Sequence, residues 1–507
     1  KLQKNIVFKK YNFITYFKLV LKMIINFLTL KFQINNFLKN FYELYNKYYN
    51  LKKSGELSKM DTFKLFQLYK ELEERILFNW KAPIINDLYV MISFGILKKL
   101  NQKFNIPENL HLKLLSKTNA IKTTLPIEKL IEISNEIISK NLVSEFLSEN
   151  IIKQFKKYKN TQNRENFKNL DIKAIFDKIE EYIDLYGSRV MGELKLETPT
   201  LEEDPTYIFL LLKNYILNQI NQTNQNNKND QNNKSQSIKN KDSEINILES
   251  NILESNKGNI EDMDLKVLKK TLNPIKYLIY LFCLNIAKET MKNREDQRLA
   301  RSQAYSIVKD IIKMVSIRWT KKNIIDNEKD IFFLQWDEVW DYAFGKSCTM
   351  DIKEIIKLRK SEFEKSKDIE LPDRFETFSE VYLYLKPMDT KLDSDSLKGI
   401  SACVGKVIGR VKVVSQLDQI GELLNRLNGE ILVAKFTDPG WTLLFPSISG
   451  LIIEKGSILS HTAIVAREMG IPTVVSVKNA SSILKDGDLV ELNAYTGTIK
   501  ILSKQNQ

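Results

Sequence analysis

The chain has 507 residues, 43% of them apolar, and a net charge of +14, which is too long for one ordinary core and apolar enough for several. Its lysines and arginines are spread along the chain, and neither zinc-finger spacing nor an aromatic–basic signature occurs, which argues against nucleic-acid binding. Cys283, Cys348 and Cys403 are far apart and odd in number, so they suggest neither a disulfide framework nor a metal site, and a reducing, cytoplasmic setting is expected.

The first 180 residues read mostly as helices. Residues 11–32 are strongly apolar, but Lys18, Lys22 and Lys31 interrupt them and no small-residue cleavage site follows. This predicts a buried or amphipathic helix rather than a membrane span. In 59–80, Leu65, Leu68, Leu72 and Ile76, with Tyr69 beside them, recur at three- and four-residue spacing and make one apolar helix face. Segments 127–147 and 172–187 behave alike, the second closed by Gly187.

Residues 218–244 have almost nothing to bury, and a direct duplication, NILESNILES, follows at 246–255. A disordered Asn-rich linker is expected over 218–262, dividing a helical region into 1–217 and 263–390. Beyond it, 265–319 predicts two or three helices, 329–345 a short apolar segment leading into a helix, and 351–372 a helix ending before Pro372.

Near residue 395 the period shortens. Residues 405–414, 429–436, 449–456 and 472–477 read as strands, and 486–502 as a hairpin turning at Tyr495–Thr498. Helices are expected at 417–427 and 460–470. The fold class is therefore multidomain α plus α/β: a large helical part, then a compact α/β domain over 395–507.

One junction in that domain draws attention, KGSILSHTAIVAREMGIPTVVS at 455–476. Ser460 suits an N-cap, His461 would open the helix, Gly470 would end it and Pro472 bars its continuation. A helix start stabilises anions, and about three quarters of an ordinary imidazole is neutral and nucleophilic at pH 7. On these grounds alone, a capping or half-buried histidine without chemical role stays open.

The pattern Gly, Ser-His, then Ala-Ile-x-Ala-Arg-Glu-x-Gly-Ile-Pro resembles the phosphohistidine motif of the phosphoenolpyruvate-utilising enzymes, and 436–456 resembles the segment before it. The resemblance covers roughly 399–502. It implies a β/β/α swivelling domain on which His461 carries a phosphoryl group, supported by Gly456, Ser460, Thr462, Arg467 and Glu468. Two departures stand out: Ser457 where the family often has glycine, and Leu459 where it often has a threonine, which in plant-type dikinases takes a regulatory phosphate. Such control is not expected here, and Ser457 brings a Cβ to a backbone that usually avoids one.

The order of parts is most similar to the rifampicin-phosphotransferase and phosphoenolpyruvate-synthase-like members, in which a helical domain binds the acceptor. Residues 186–205 resemble a segment of those proteins, with Ser188 and Leu201 replacing a frequent histidine and tryptophan, and 293–305 resembles their Arg-Glu-x-x-Arg helix. Arg189, Glu193, Arg294, Glu295, Arg298 and Arg301 are thus candidate acceptor-site residues, although Arg294, Arg298 and Arg301 equally suit a solvated, salt-bridged helix face.

The resemblance also implies ATP and Mg²⁺. Neither a Walker pattern nor a glycine-rich phosphate loop is legible, so an ATP-grasp domain in cis or in trans is the expected partner, with a small molecule as acceptor. Three readings stay open: a rifampicin-phosphotransferase-like phosphotransferase portion, a phosphoenolpyruvate-synthase-like component acting on pyruvate, and an inactive fragment or non-catalytic phosphocarrier.

Overall fold

The computed structural model describes residues 13–116, 124–160, 167, 169–233, 265–349, 351–366, 397–414 and 427–504. In chain order the helices are α1 (Phe13–Lys53), α2 (Glu56–Lys59), α3 (Thr62–Leu72), α4 (Lys81–Phe104), α5 (Glu108–Ser116), α6 (Leu125–Ser139), α7 (Val143–Leu147), α8 (Asn150–Asn160), α9 (Leu170–Tyr186), α10 (Thr206–Asn233), α11 (Pro274–Lys321), α12 (Trp336–Ala343) and α13 (Ile352–Ser366), then α14 (His461–Glu468) and α15 (Ala480–Ile483) in the C-terminal domain. A large helical region thus precedes a mixed-sheet domain.

The described residues fall into two compact units. One lies within Lys1–Lys59, Gln67–Lys122 and Glu261–Ala304; the other within Met60–Phe66, Thr123–Ile260 and Tyr305–Gln507. The division does not follow the Asn-rich segment expected to separate the helices. Helix α10 also runs into that segment as far as Asn233, since neither glycine nor proline occurs there to stop it. The remainder of the expected linker, the duplication and nearly all of the expected helix at 417–427 lie outside the described residues.

In the first unit, Leu30, Ile34, Phe37, Phe41, Leu44 and Tyr48 form the buried stripe of α1, most of it beyond the segment 11–32 read as a buried or amphipathic helix, within which Leu21, Ile25 and Phe32 are exposed. No helix among the described residues is long and apolar enough to cross a membrane. The second histidine, His111, is buried in this unit with Nδ1 3.3 Å from the Tyr280 hydroxyl. The helices expected over 265–319 resolve as a short one at 265–271 and the 48-residue α11, which has proline at its first position and neither proline nor glycine thereafter.

In the second unit, the single helix expected over 127–147 breaks into α6 and α7. Asn141 turns left-handed with φ 55°, and Leu142 N–H bonds to Ile137 O at 3.0 Å, closing α6. The C-terminal domain contributes strands β1 (Leu397–Lys398), β2 (Ile400–Cys403), β3 (Lys406–Val414), β4 (Glu430–Ala434), β5 (Ile448–Ile453), β6 (Thr473–Val475), β7 (Leu489–Asn493) and β8 (Thr498–Ser503). Their order in the sheet is β1-β8-β7-β3-β4-β5-β6-β2. β3 to β6 are parallel; β7, β8, β1 and β2 are antiparallel to their neighbours.

Side chains alternate across this sheet. Leu432, Ala434, Leu451, Ile453 and Val475 face a core shared with α6, α9 and α10, whereas Ile431, Val433, Ile452 and Val474 face a second core made within the domain. Strands covered on both faces read as continuous apolar runs, which is why 449–456 was legible as a strand. Each fully buried aliphatic side chain here contributes about 1.5–3 kcal/mol.

Candidate functional site

Strand β5 delivers the chain to a tight turn at 454–460. Glu454 N–H and Lys455 N–H still bond to Ala434 O and Lys435 O, at 3.0 and 2.8 Å, extending the sheet toward the turn. Ser460, with φ −66° and ψ 151°, caps α14: its Oγ accepts from Ala463 N–H at 3.3 Å. His461 is the first helical residue, as expected. At the other end Gly470 is left-handed, Ile471 N–H bonds to Ala466 O at 2.9 Å and Pro472 follows.

The turn is held from two sides. Ser476, itself left-handed with φ 59°, donates its hydroxyl to Gly456 O at 2.6 Å. Arg467 reaches back along α14 and donates from Nη2 to Ile458 O at 2.5 Å. Ser457 does not have a left-handed backbone, so its Cβ brings no left-handed strain to the turn.

His461 and Thr462 are buried, the imidazole residue only 4% exposed. The Thr462 hydroxyl meets that of Thr437 at 2.5 Å. Arg467 is buried too, and burial holds its guanidinium down to about 10, with Cys403 and Glu468 opposing. Burial likewise pushes the Cys403 thiol up to about 11.

Thr437 introduces the second part of the site. The next residue, Asp438, begins a 3₁₀ helix, Pro439–Ser447, that packs beside α14. Its Oδ1 accepts from Gly440 N–H at 2.9 Å and its Oδ2 from Gly192 N–H at 2.8 Å. Burial pushes this carboxyl up to about 6; Glu193 adds to the shift, while the two amides and Arg189 oppose it. Gly440 presses against the same loop: a Cβ there would lie 2.3 Å from Val190 O. Tyr215 on α10 donates to Leu443 O at 2.5 Å.

Arg189 and Glu193 pair within this loop, Nη1 standing 3.3 Å from both carboxylate oxygens, and both residues are buried. The fold thus gathers Arg189, Glu193, Gly192 and Asp438 around one seam, with Thr437, Thr462 and His461 adjoining. Sequence reasoning proposed Arg189, Glu193 and His461 but passed over Asp438, Thr437 and Gly440. The Asp-Pro-Gly sequence marks a helix start, yet nothing in it names a partner 246 positions away.

Arg294, Glu295, Arg298 and Arg301 lie on the part of α11 assigned to the other unit. There Arg294 Nε pairs with Asp87 at 3.0 Å and Arg298 Nε lies 3.8 Å from the buried Glu295 carboxylate. Burial lowers the Arg294 guanidinium, helped by Arg298 and opposed by Asp87. Their spacing also allowed a solvated, salt-bridged face, but the Glu295 carboxylate is fully buried and the Arg294 and Arg298 side chains are largely covered.

Comparison with known proteins bears on both parts. Residues 427–497 match the PEP-utilising enzyme mobile domain, and residues 84–250 match the rifampicin phosphotransferase fourth domain. A rifampicin phosphotransferase of Bacillus cereus is 26% identical over 64% of this chain and 34% of its own length. An uncharacterised protein of Mycobacterium tuberculosis is 30% identical over 43% of this chain and 24% of its own length. A prodigiosin-synthesising transferase of Serratia marcescens is 45% identical over 21% of this chain and 12% of its own. The chain spans about a third of the length of the rifampicin phosphotransferases it matches. Among solved structures, the holo-form aconitase X of Thermococcus kodakaraensis is 25% identical over 21% of this chain and 98% of its own, with a TM-score of 0.18, too low to bear on the fold.

Proposed function

We propose that this chain, which carries the mobile domain of the PEP-utilising enzymes beside a rifampicin-phosphotransferase domain and so belongs among the phosphotransferases, uses His461 as a phosphoryl carrier toward an acceptor at the Arg189–Glu193 loop. The observation that supports this reading best is the shared seam. The segment beside the histidine helix and the candidate acceptor loop meet through Asp438 and Gly192.

In the transfer half-reaction an acceptor hydroxyl oxygen forms a bond to phosphorus as the phosphorus–nitrogen bond to His461 breaks. The hydroxyl proton replaces the phosphoryl group on the imidazole, directly or through solvent. Arg189 suits the phosphoryl oxygens by its planar set of donors, and Glu193 keeps that guanidinium oriented. The start of α14 favours the anionic carrier.

The donor we propose is ATP with Mg²⁺, held by an ATP-grasp domain in cis or in trans. The residues described here do not fit that pair: no group of three or more His, Cys, Asp or Glu among them could hold a metal ion. We place the loading chemistry on that partner as part of the same proposal. The test is to mix the chain and its His461→Asn variant with an ATP-grasp partner and β-labelled ATP. An acid-labile label on the parent chain alone supports the reading. A label that persists in the variant, or none in the parent, sinks it.

A further inference from the structure

His461 sits on a helix whose first turn is joined to the candidate acceptor loop by a short path. Gly192 N–H bonds to Asp438 Oδ2 at 2.8 Å. Asp438 is bonded covalently to Thr437, whose hydroxyl lies 2.5 Å from that of Thr462. Thr462 follows His461 directly. Two hydrogen bonds and two peptide links therefore run from one side of the seam to the histidine.

The same segment shows why the path has one register. Asp438 spends its other oxygen on Gly440 N–H at 2.9 Å, which fixes the carboxylate relative to its own backbone. Gly440 in turn lies so close to Val190 and Met191 that a Cβ would meet their backbone atoms at 2.3–2.5 Å. A carboxylate can accept from two amides in different directions, whereas an amide side chain has a single acceptor oxygen.

We propose that Asp438 and Thr437 form a two-bond clamp that seats the His461 helix against loop 187–193, making both of them positioning residues. The clamp deepens the reading of His461 as a carrier and rests on it for its purpose, but its existence can be tested without any phosphoryl transfer. With the clamp closed, His461 is almost wholly buried, and opening it exposes the imidazole.

The chain has only two histidines, and the other, His111, is equally buried and lies in the other unit. Diethyl pyrocarbonate labelling of the full chain, read by peptide mass spectrometry, therefore carries its own control. Thr437→Val is expected to speed labelling of His461 about tenfold, the shift that follows from losing one hydrogen bond of ordinary strength, and Asp438→Ala, which loses two, at least as much. Labelling of His111 should not change. Asp438→Asn is expected to fall between Asp438→Ala and the parent, and Thr437→Ser to restore the slow rate because it keeps the hydroxyl. Unchanged His461 labelling in both disruptive variants overturns the clamp, and so does a parallel rise at His111, which would report loosening of the whole chain. Because no donor or acceptor takes part, a failed clamp and a failed carrier assignment give different results.

Discussion

Arg467 donates a hydrogen bond to the carbonyl of Ile458, nine residues earlier, so the last turn of α14 holds the loop that leads into its first. The arrangement buries a guanidinium, with Nε and Nη1 finding no partner among the described residues. Arg467→Met should remove the tie and leave the Ile458 carbonyl without its donor, at a cost of about 1–3 kcal/mol. Urea unfolding of the two proteins measures it, and a difference below about 0.5 kcal/mol, the size of an ordinary surface change, would count against the tie.

Gly440→Ala puts a methyl group into the backbone of Val190. Neither side can yield as a flexible side chain would, so overpacking of about 1–3 kcal/mol is expected. Denaturant midpoints with an unchanged slope would report it. A neutral alanine at this position would mean that the seam has slack there.

Asp438 sets a pH dependence with a definite sign. Its carboxyl is raised from 3.8 to about 6 in the folded protein. Its contribution is therefore fully present below the unfolded value near 4 and is lost as pH rises through about 6, at most about 3 kcal/mol. Carboxylates with lowered values, such as Glu203 and Glu338, act in the opposite direction, so the measurement must be a difference. Stability of the parent relative to Asp438→Asn should fall between about pH 4 and 7. A flat difference would show that the carboxyl is not raised.

Ser476 holds a left-handed backbone while its hydroxyl grips Gly456 O. Ser476→Ala loses the bond and keeps the strain; Ser476→Gly loses the bond but relieves the strain. The alanine variant should therefore be less stable than the glycine variant by about 1 kcal/mol. Thermal unfolding of both decides it, and equal stability would imply that the turn relaxes.

The limits of the sequence reading have physical causes. The bounds of α14 were legible because Ser460, Gly470 and Pro472 act locally, each through its own backbone chemistry. β4 to β6 were legible because strands covered on both faces must be apolar throughout. The break at Asn141 was not, since the flanking apolar spacing continues through it and only a left-handed asparagine interrupts the helix. The seam was least legible. Arg189 and Glu193 stood out as charges in a recognisable segment, but Asp438 acquires its role from a glycine amide on the other side of the unit.

The two faces of the sheet divide the meaning of neighbouring residues on one strand. On β4, Ile431 and Val433 answer only to the domain they belong to, while Leu432 and Ala434 answer also to helices from elsewhere in the chain. Two adjacent positions thus live under different laws of substitution, one judged by whether the domain folds and the next by whether it fits its neighbour. A strand of five residues is at once part of a foundation and part of a joint.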